Sequence, residues 1–131
     1  MRYFISIELP ADDKTAFGVV VPDIPGCFSA GDTLEEAIEN AEEAILMQLE
    51  DMIDRGLDVP DPSAPDAVAE QFPGWALAAV EVDPRQLSKK AKRVNVTIPE
   101  GVLYLIDREA KKVHSNRSAF LTEAALMKIQ N

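Results

Sequence analysis

The chain of 131 residues holds one cysteine and one histidine. Each scarcity excludes something. The lone thiol, Cys27, cannot close an internal disulfide, which fits a reducing compartment. A thiol nucleophile would need a base beside it, and the only candidate, His114, falls in a different part of the chain. No window approaches ~18 consecutive apolar residues, so no membrane-spanning helix and no membrane partner are expected. The N-terminal stretch MRYFISIELPADD alternates in polarity and soon turns acidic, unlike the apolar core of a signal peptide. The expectation is a soluble cytoplasmic protein. Hydrophobic residues make up 47%, enough to pack a core, so global disorder is not expected. No internal repeat is visible.

Basic residues are scarce in one part only. Residues 1–84 carry 3 Lys/Arg against 19 Asp/Glu, a formal −16, whereas residues 85–131 carry 10 against 4, a formal +6. An acidic body favours basic partners and a basic tail favours phosphate backbones. Mutual attraction between the two halves is the plainer alternative.

The acidic part reads as α+β. RYFISIEL, residues 2–9, alternates with the period of a strand, and AFGVVVP, 16–22, pairs with it economically as a hairpin. Pro22, Pro25 and Gly26 mark a tight turn, followed by a short third strand over 27–30. Thr33 and Glu36 form a capping box. Leu34, Ile38, Ala41, Ile45, Leu49, Met52 and Ile53 then recur at helical spacing, with acidic residues on or beside the other face. Gly56 suits the position just past the helix end. Four prolines make 58–74 a loop with room for one helical turn at 66–71. WALAAVEV, 75–82, is a fourth strand, mostly buried by its composition. RQLSKKAK, 85–92, is a basic linker.

In KRVNVTIPEG, residues 92–101, Val94, Val96 and Ile98 alternate with Arg93, Asn95 and Thr97 until Pro99 stops the pattern. Helices are expected over about 100–113 and 117–129, joined by a turn at 114–116. A strand and two helices in so few residues cannot bury a core, since chains below ~40 residues need help. Here neither cysteines nor metal ligands can supply it. A second copy can: two strands pair antiparallel, apolar residues face inward, and Arg93, Asn95 and Thr97 face outward. A two-stranded ribbon fits the major groove of DNA, where Arg suits guanine, Asn suits adenine, and Thr reaches base edges or a thymine methyl. An amphipathic edge strand with solvated polar residues is the alternative.

Residues 93–129, with RVNVTIP and the SNRSAFLTEAA turn, resemble the ribbon-helix-helix family. The resemblance implies base contacts at Arg93, Asn95 and Thr97. It implies phosphate contacts at the start of the second helix, at Asn116, Arg117 and Ser118. Lys92 joins them, and Lys89 and Lys90 add to the local positive charge. Family members often carry Gly where His114 stands, and His tolerates a left-handed backbone better than most residues.

The β-β-β-α-β order of residues 1–84 resembles a truncated RNase H-like fold. The string VPDIPGCFSAGDTLEEAIENAEEAI resembles the HicB antitoxin family over 1–83, and that domain occurs fused to a ribbon-helix-helix tail. The resemblance implies a non-enzymatic antitoxin with no cofactor and no metal. It would mask a HicA-type mRNA-cleaving toxin with residues 1–84. It would repress its own operon by binding operator DNA through a tail, 93–131, that dimerises; tetramers follow if the acidic domains also pair. Asp23, Phe28 and Trp75 are the candidate toxin contacts, although the turn from Pro22 to Phe28 is equally readable as structural and Trp75 as a core anchor. Two alternatives stay open. One is a residual RNase H-like metal-dependent nuclease using Glu8, the helix glutamates, Glu81 and Asp83. The other is a stand-alone repressor whose acidic domain senses a ligand.

Overall fold

The computed structural model describes residues 1–13, 15–88 and 90–130; Lys89, counted above among the basic residues, lies outside them. The chain divides into two compact units, Met1–Lys90 and Ala91–Asn131.

In the first unit β1 (Arg2–Glu8), β2 (Phe17–Val20), β3 (Phe28–Gly31) and β4 (Ala76–Glu81) form one antiparallel sheet in the order β3-β2-β1-β4. The expected hairpin of the first two strands is present, with Ser6 opposite Val20. Odd-numbered β1 residues Tyr3, Ile5 and Ile7 are fully buried under α1 (Leu34–Asp54), together with Val19, Val80 and Val82.

α1 begins where the capping pattern places it: the Thr33 hydroxyl accepts from the Glu36 N–H at 3.1 Å. It ends at Gly56, whose positive φ lets its N–H donate to Ile53 O while Leu57 N–H donates to Met52 O. The buried stripe is Ala37, Ala41, Ile45 and Leu49. It differs from the expected one at the start: Leu34 is exposed and Ala37 takes the core position. The reason is close approach. A Cβ on Gly31 would sit 2.8 Å from the Ala37 Cα, so β3 and α1 touch backbone to backbone and only small residues fit there.

The chain makes two helical passes between β3 and β4, not one. α2 (Pro65–Gln71) is a full short helix, so the order is β-β-β-α-α-β. It packs against β1. Val68 is fully buried yet outside the α1-side core, and Ser6, on the other face of β1, is buried too. The short helix therefore covers the second face of the sheet over β1. The flanks of that face stay open: Phe28 on β3 is 66% exposed and Leu77 on β4 41%. β4 is thus an edge strand buried on one face, not the mostly buried strand its composition suggests, because apolar content does not report which side is covered.

The first unit also reaches further than residue 84. A 3-10 turn over Pro84–Gln86 brings Leu87 into the core, where it is fully buried. The front half of the expected basic linker is therefore part of the folded unit.

In the second unit, α3 (Glu100–Lys112) and α4 (Arg117–Gln130) lie close to the expected ranges. His114 adopts a φ of 55°, its N–H donating to Lys111 O, while Ser115 N–H donates to Ala110 O. This is the helix termination that glycine normally provides. Residues 91–99 belong to no helix or strand within the single chain. The expected strand over 93–98 has no ladder here, since strand hydrogen bonds need a neighbouring strand.

Candidate nucleic-acid and partner interfaces

The second unit has almost no interior. Among its described residues only Ala110 is buried. Val94 and Val96 are 68% and 67% exposed, and Val102, Leu105 and Val113 are exposed too. Ile98, Leu103 and Leu121 are half-buried and, with Val96, Thr97 and Arg117, line a groove of about 320 Å³. Exposed Val94 and Val96 thus form an apolar strip that runs into this groove.

The residues expected to read DNA lie on this unit. Lys92, Arg93, Asn95 and Thr97 are all exposed. Asn116 caps α4: its side-chain oxygen accepts from the Ala119 N–H at 2.9 Å. Ser118 is exposed in the first turn of α4, its carbonyl accepting from the Thr122 hydroxyl. The backbone N–H groups of a helix's first turn attract anions. The side chain of Arg117 points elsewhere, into a two-point ion pair with Asp107. Those hydrogen bonds hold the Asp107 carboxyl below its ordinary range. Asp107 did not enter the sequence reading. No local pattern marked it, because Asp107 lies in α3, ten residues before its partner at the start of α4.

The three residues expected to meet a protein partner are not alike. Asp23 accepts from the Ser63 N–H at 2.7 Å and from its hydroxyl at 2.6 Å, fastening the loop before α2. Trp75 is half-buried and its ring lies 4.9 Å from that of Phe72. Only Phe28 is largely exposed. Cys27 is buried in the turn, and burial pushes its thiol pKa up, the opposite of an activated nucleophile. Among the described residues no three His, Cys, Asp or Glu side chains are grouped to hold a metal ion, and no helix is long and apolar enough to cross a membrane.

The chain thus joins an acidic α+β unit to a basic helix pair that, among its described residues, buries only Ala110. Residues 3–125 match the family described as HicB_like antitoxin of bacterial toxin-antitoxin system, and the chain belongs to that family. The crystal structure of Burkholderia pseudomallei antitoxin HicB is similar at 40% identity, covering 96% of both chains, with a TM-score of 0.62. A 14.9 kDa protein from the rep-hol intergenic region of Haemophilus phage HP1 is 38% identical over 95% of both chains. A chain of the HicA3 and HicB3 toxin-antitoxin complex matches at 34% identity, covering 63% of this chain and 100% of its own, with a TM-score of 0.50.

Proposed function

We propose that this chain neutralises a basic, mRNA-cleaving HicA-type toxin by covering it, and that it represses its own operon by binding operator DNA. Masking needs no chemistry from the antitoxin; it needs complementary charge and steric cover, and the formal −16 of residues 1–84 suits a basic RNA-binding partner. That unit is read as a truncated RNase H-like domain with α2 added. The antitoxin in the matched complex is paired with HicA3, which supports a partner of the same kind here.

The observation that carries the DNA-binding half is the missing core. The described residues of the Ala91–Asn131 unit bury only Ala110; the unit gains an interior when a second copy lays its own 93–98 antiparallel to this one and covers the groove. The product is a ribbon-helix-helix dimer. Its ribbon turns Arg93, Asn95 and Thr97 to the bases. Lys92, Asn116, Ser118 and the backbone amide of Arg117 meet phosphates. Pairing of acidic units would raise the dimer to a tetramer.

Capture of partners on the tagged full chain in its own host, with gel shifts on the DNA upstream of its gene, tests both halves. A HicA-type toxin and a sequence-specific shift are expected. Absence of the toxin overturns the antitoxin role, and equal affinity for scrambled DNA overturns base readout.

A further inference from the structure

Within the first unit, the described residues cover α1 on one side. Its buried stripe of Ala37, Ala41, Ile45 and Leu49 faces the sheet. At 3.6 residues per turn, Glu39, Glu43, Leu46, Met47 and Glu50 gather on the opposite side. Leu46 is 43% exposed and Met47 71%. Eight carboxylates and no basic residue lie within the helix. Among the described residues no cation pairs with Glu39, Glu43 or Glu50.

A solvated helix face has no need of two large apolar side chains at its centre. Leu and Met set among free carboxylates have the make-up of a contact patch, an apolar middle with a charged rim. Met adapts its shape to what lands on it. The charge selects the occupant. A second copy would bring another acidic unit of formal −16 against the first, and nucleic acid would be repelled outright. A basic protein gains from every rim carboxylate.

We propose that this stripe of α1 is the toxin-docking surface, with Leu46 and Met47 seated in an apolar hollow of the toxin and Glu39, Glu43 and Glu50 meeting its cations. The proposal rests on the antitoxin reading. It places the contact on the helix side of the unit, away from Phe28, which belongs to the other face of the sheet.

The probe is the HicA-type toxin of the same host, as a variant that no longer cleaves mRNA, titrated calorimetrically into the full-length chain. Leu46→Ser with Met47→Ser should weaken binding by about 30-fold or more, the size of a hot-spot loss. Glu43→Lys with Glu50→Lys should weaken binding by about 10-fold or more at low salt and flatten its salt dependence. Phe28→Ser should stay within ~3-fold of wild type, as peripheral contacts do. All the substituted side chains are exposed, and thermal melts with unchanged operator binding establish that each variant is folded. If the wild-type chain ignores the toxin, the antitoxin reading falls and the docking surface with it. If the wild type binds and the α1 variants bind equally well, the docking surface alone is overturned. Loss in Phe28→Ser with none in the α1 variants overturns it too, moving the contact to the sheet.

Discussion

Arg117 grips Asp107 with both arms of its guanidinium: Nε donates to Oδ1 at 3.0 Å and Nη2 to Oδ2 at 2.8 Å. The pair ties the first residue of α4 to the middle of α3, and the left-handed His114 sits in the turn between them. A planar two-point contact of this kind fixes orientation as well as distance. Arg117 therefore sets where the amino end of α4 points, and its charge is already engaged.

In the proposed binding to operator DNA, that engagement separates Arg117 from its basic neighbours. Lys92→Ala should lower the salt slope of operator affinity by about 1, as loss of one phosphate contact does. Arg117→Gln should weaken binding through the misplaced helix start while changing the slope by less than about half that amount. Fluorescence anisotropy across a salt series measures both. Equal slope losses in the two variants would mean that the guanidinium leaves Asp107 to meet phosphate.

The same pair sets an acid dependence. The Arg117 hydrogen bonds lower the Asp107 pKa in the folded chain, while the unfolded group titrates near ~3.9. Folding then releases a proton. The pair's stabilisation is complete above the unfolded value and is lost as pH falls through the lower folded value. An NMR titration of the Asp107 carboxyl should show a midpoint below the ordinary carboxylate range, and Asp107→Asn should remove this contribution to acid unfolding. Asp83, held down by its hydrogen bonds to Arg85, should behave in the same way.

Gly31 carries a steric prediction. A methyl group there meets the backbone of Ala37 and Glu36. Gly31→Ala should destabilise the first unit by about 1–3 kcal/mol, the usual effect of overpacking. Thermal unfolding by circular dichroism reads this directly; an unchanged melting temperature would mean that β3 and α1 can separate at little cost.

How far the fold could be read in the residues follows the range of the interactions. The start of α1 at Thr33, its end at Gly56 and the turn at His114 each depend on residues within a few positions, and all three were legible. So was the hairpin of the first two strands, which needs only a short connection. What escaped depends on contacts between distant segments. Asp107 is ten residues from Arg117, Asp23 is forty from Ser63, and Leu87 looks like part of a charged linker until the core is seen around it. The exposed side of β4 was misjudged for the same reason. The strand expected over 93–98 is absent from the single chain, because no local segment supplies the neighbour its ladder would need. The stripe of Leu46 and Met47 was lost within a helix already counted as amphipathic.

Asn95 tests base readout by itself. Its side chain is exposed and lies opposite in parity to Val94 and Val96, so Asn95→Ala should leave dimerisation intact. Loss of one two-point contact to adenine should cost about 1–3 kcal/mol of specific operator affinity, measured against scrambled DNA. An equal loss on both DNAs would reduce Asn95 to a phosphate contact.

The central claim is that the Ala91–Asn131 unit has no interior until a second copy supplies one. Sedimentation equilibrium of the full chain, beside a Val94→Asp, Val96→Asp variant, measures this most directly. The predicted result is a dimer or tetramer of the 14.4 kDa chain for the wild type, with the variant falling back toward a species whose tail exchanges its amide hydrogens freely. A wild-type monomer whose α3 and α4 amides are strongly protected would contradict the account.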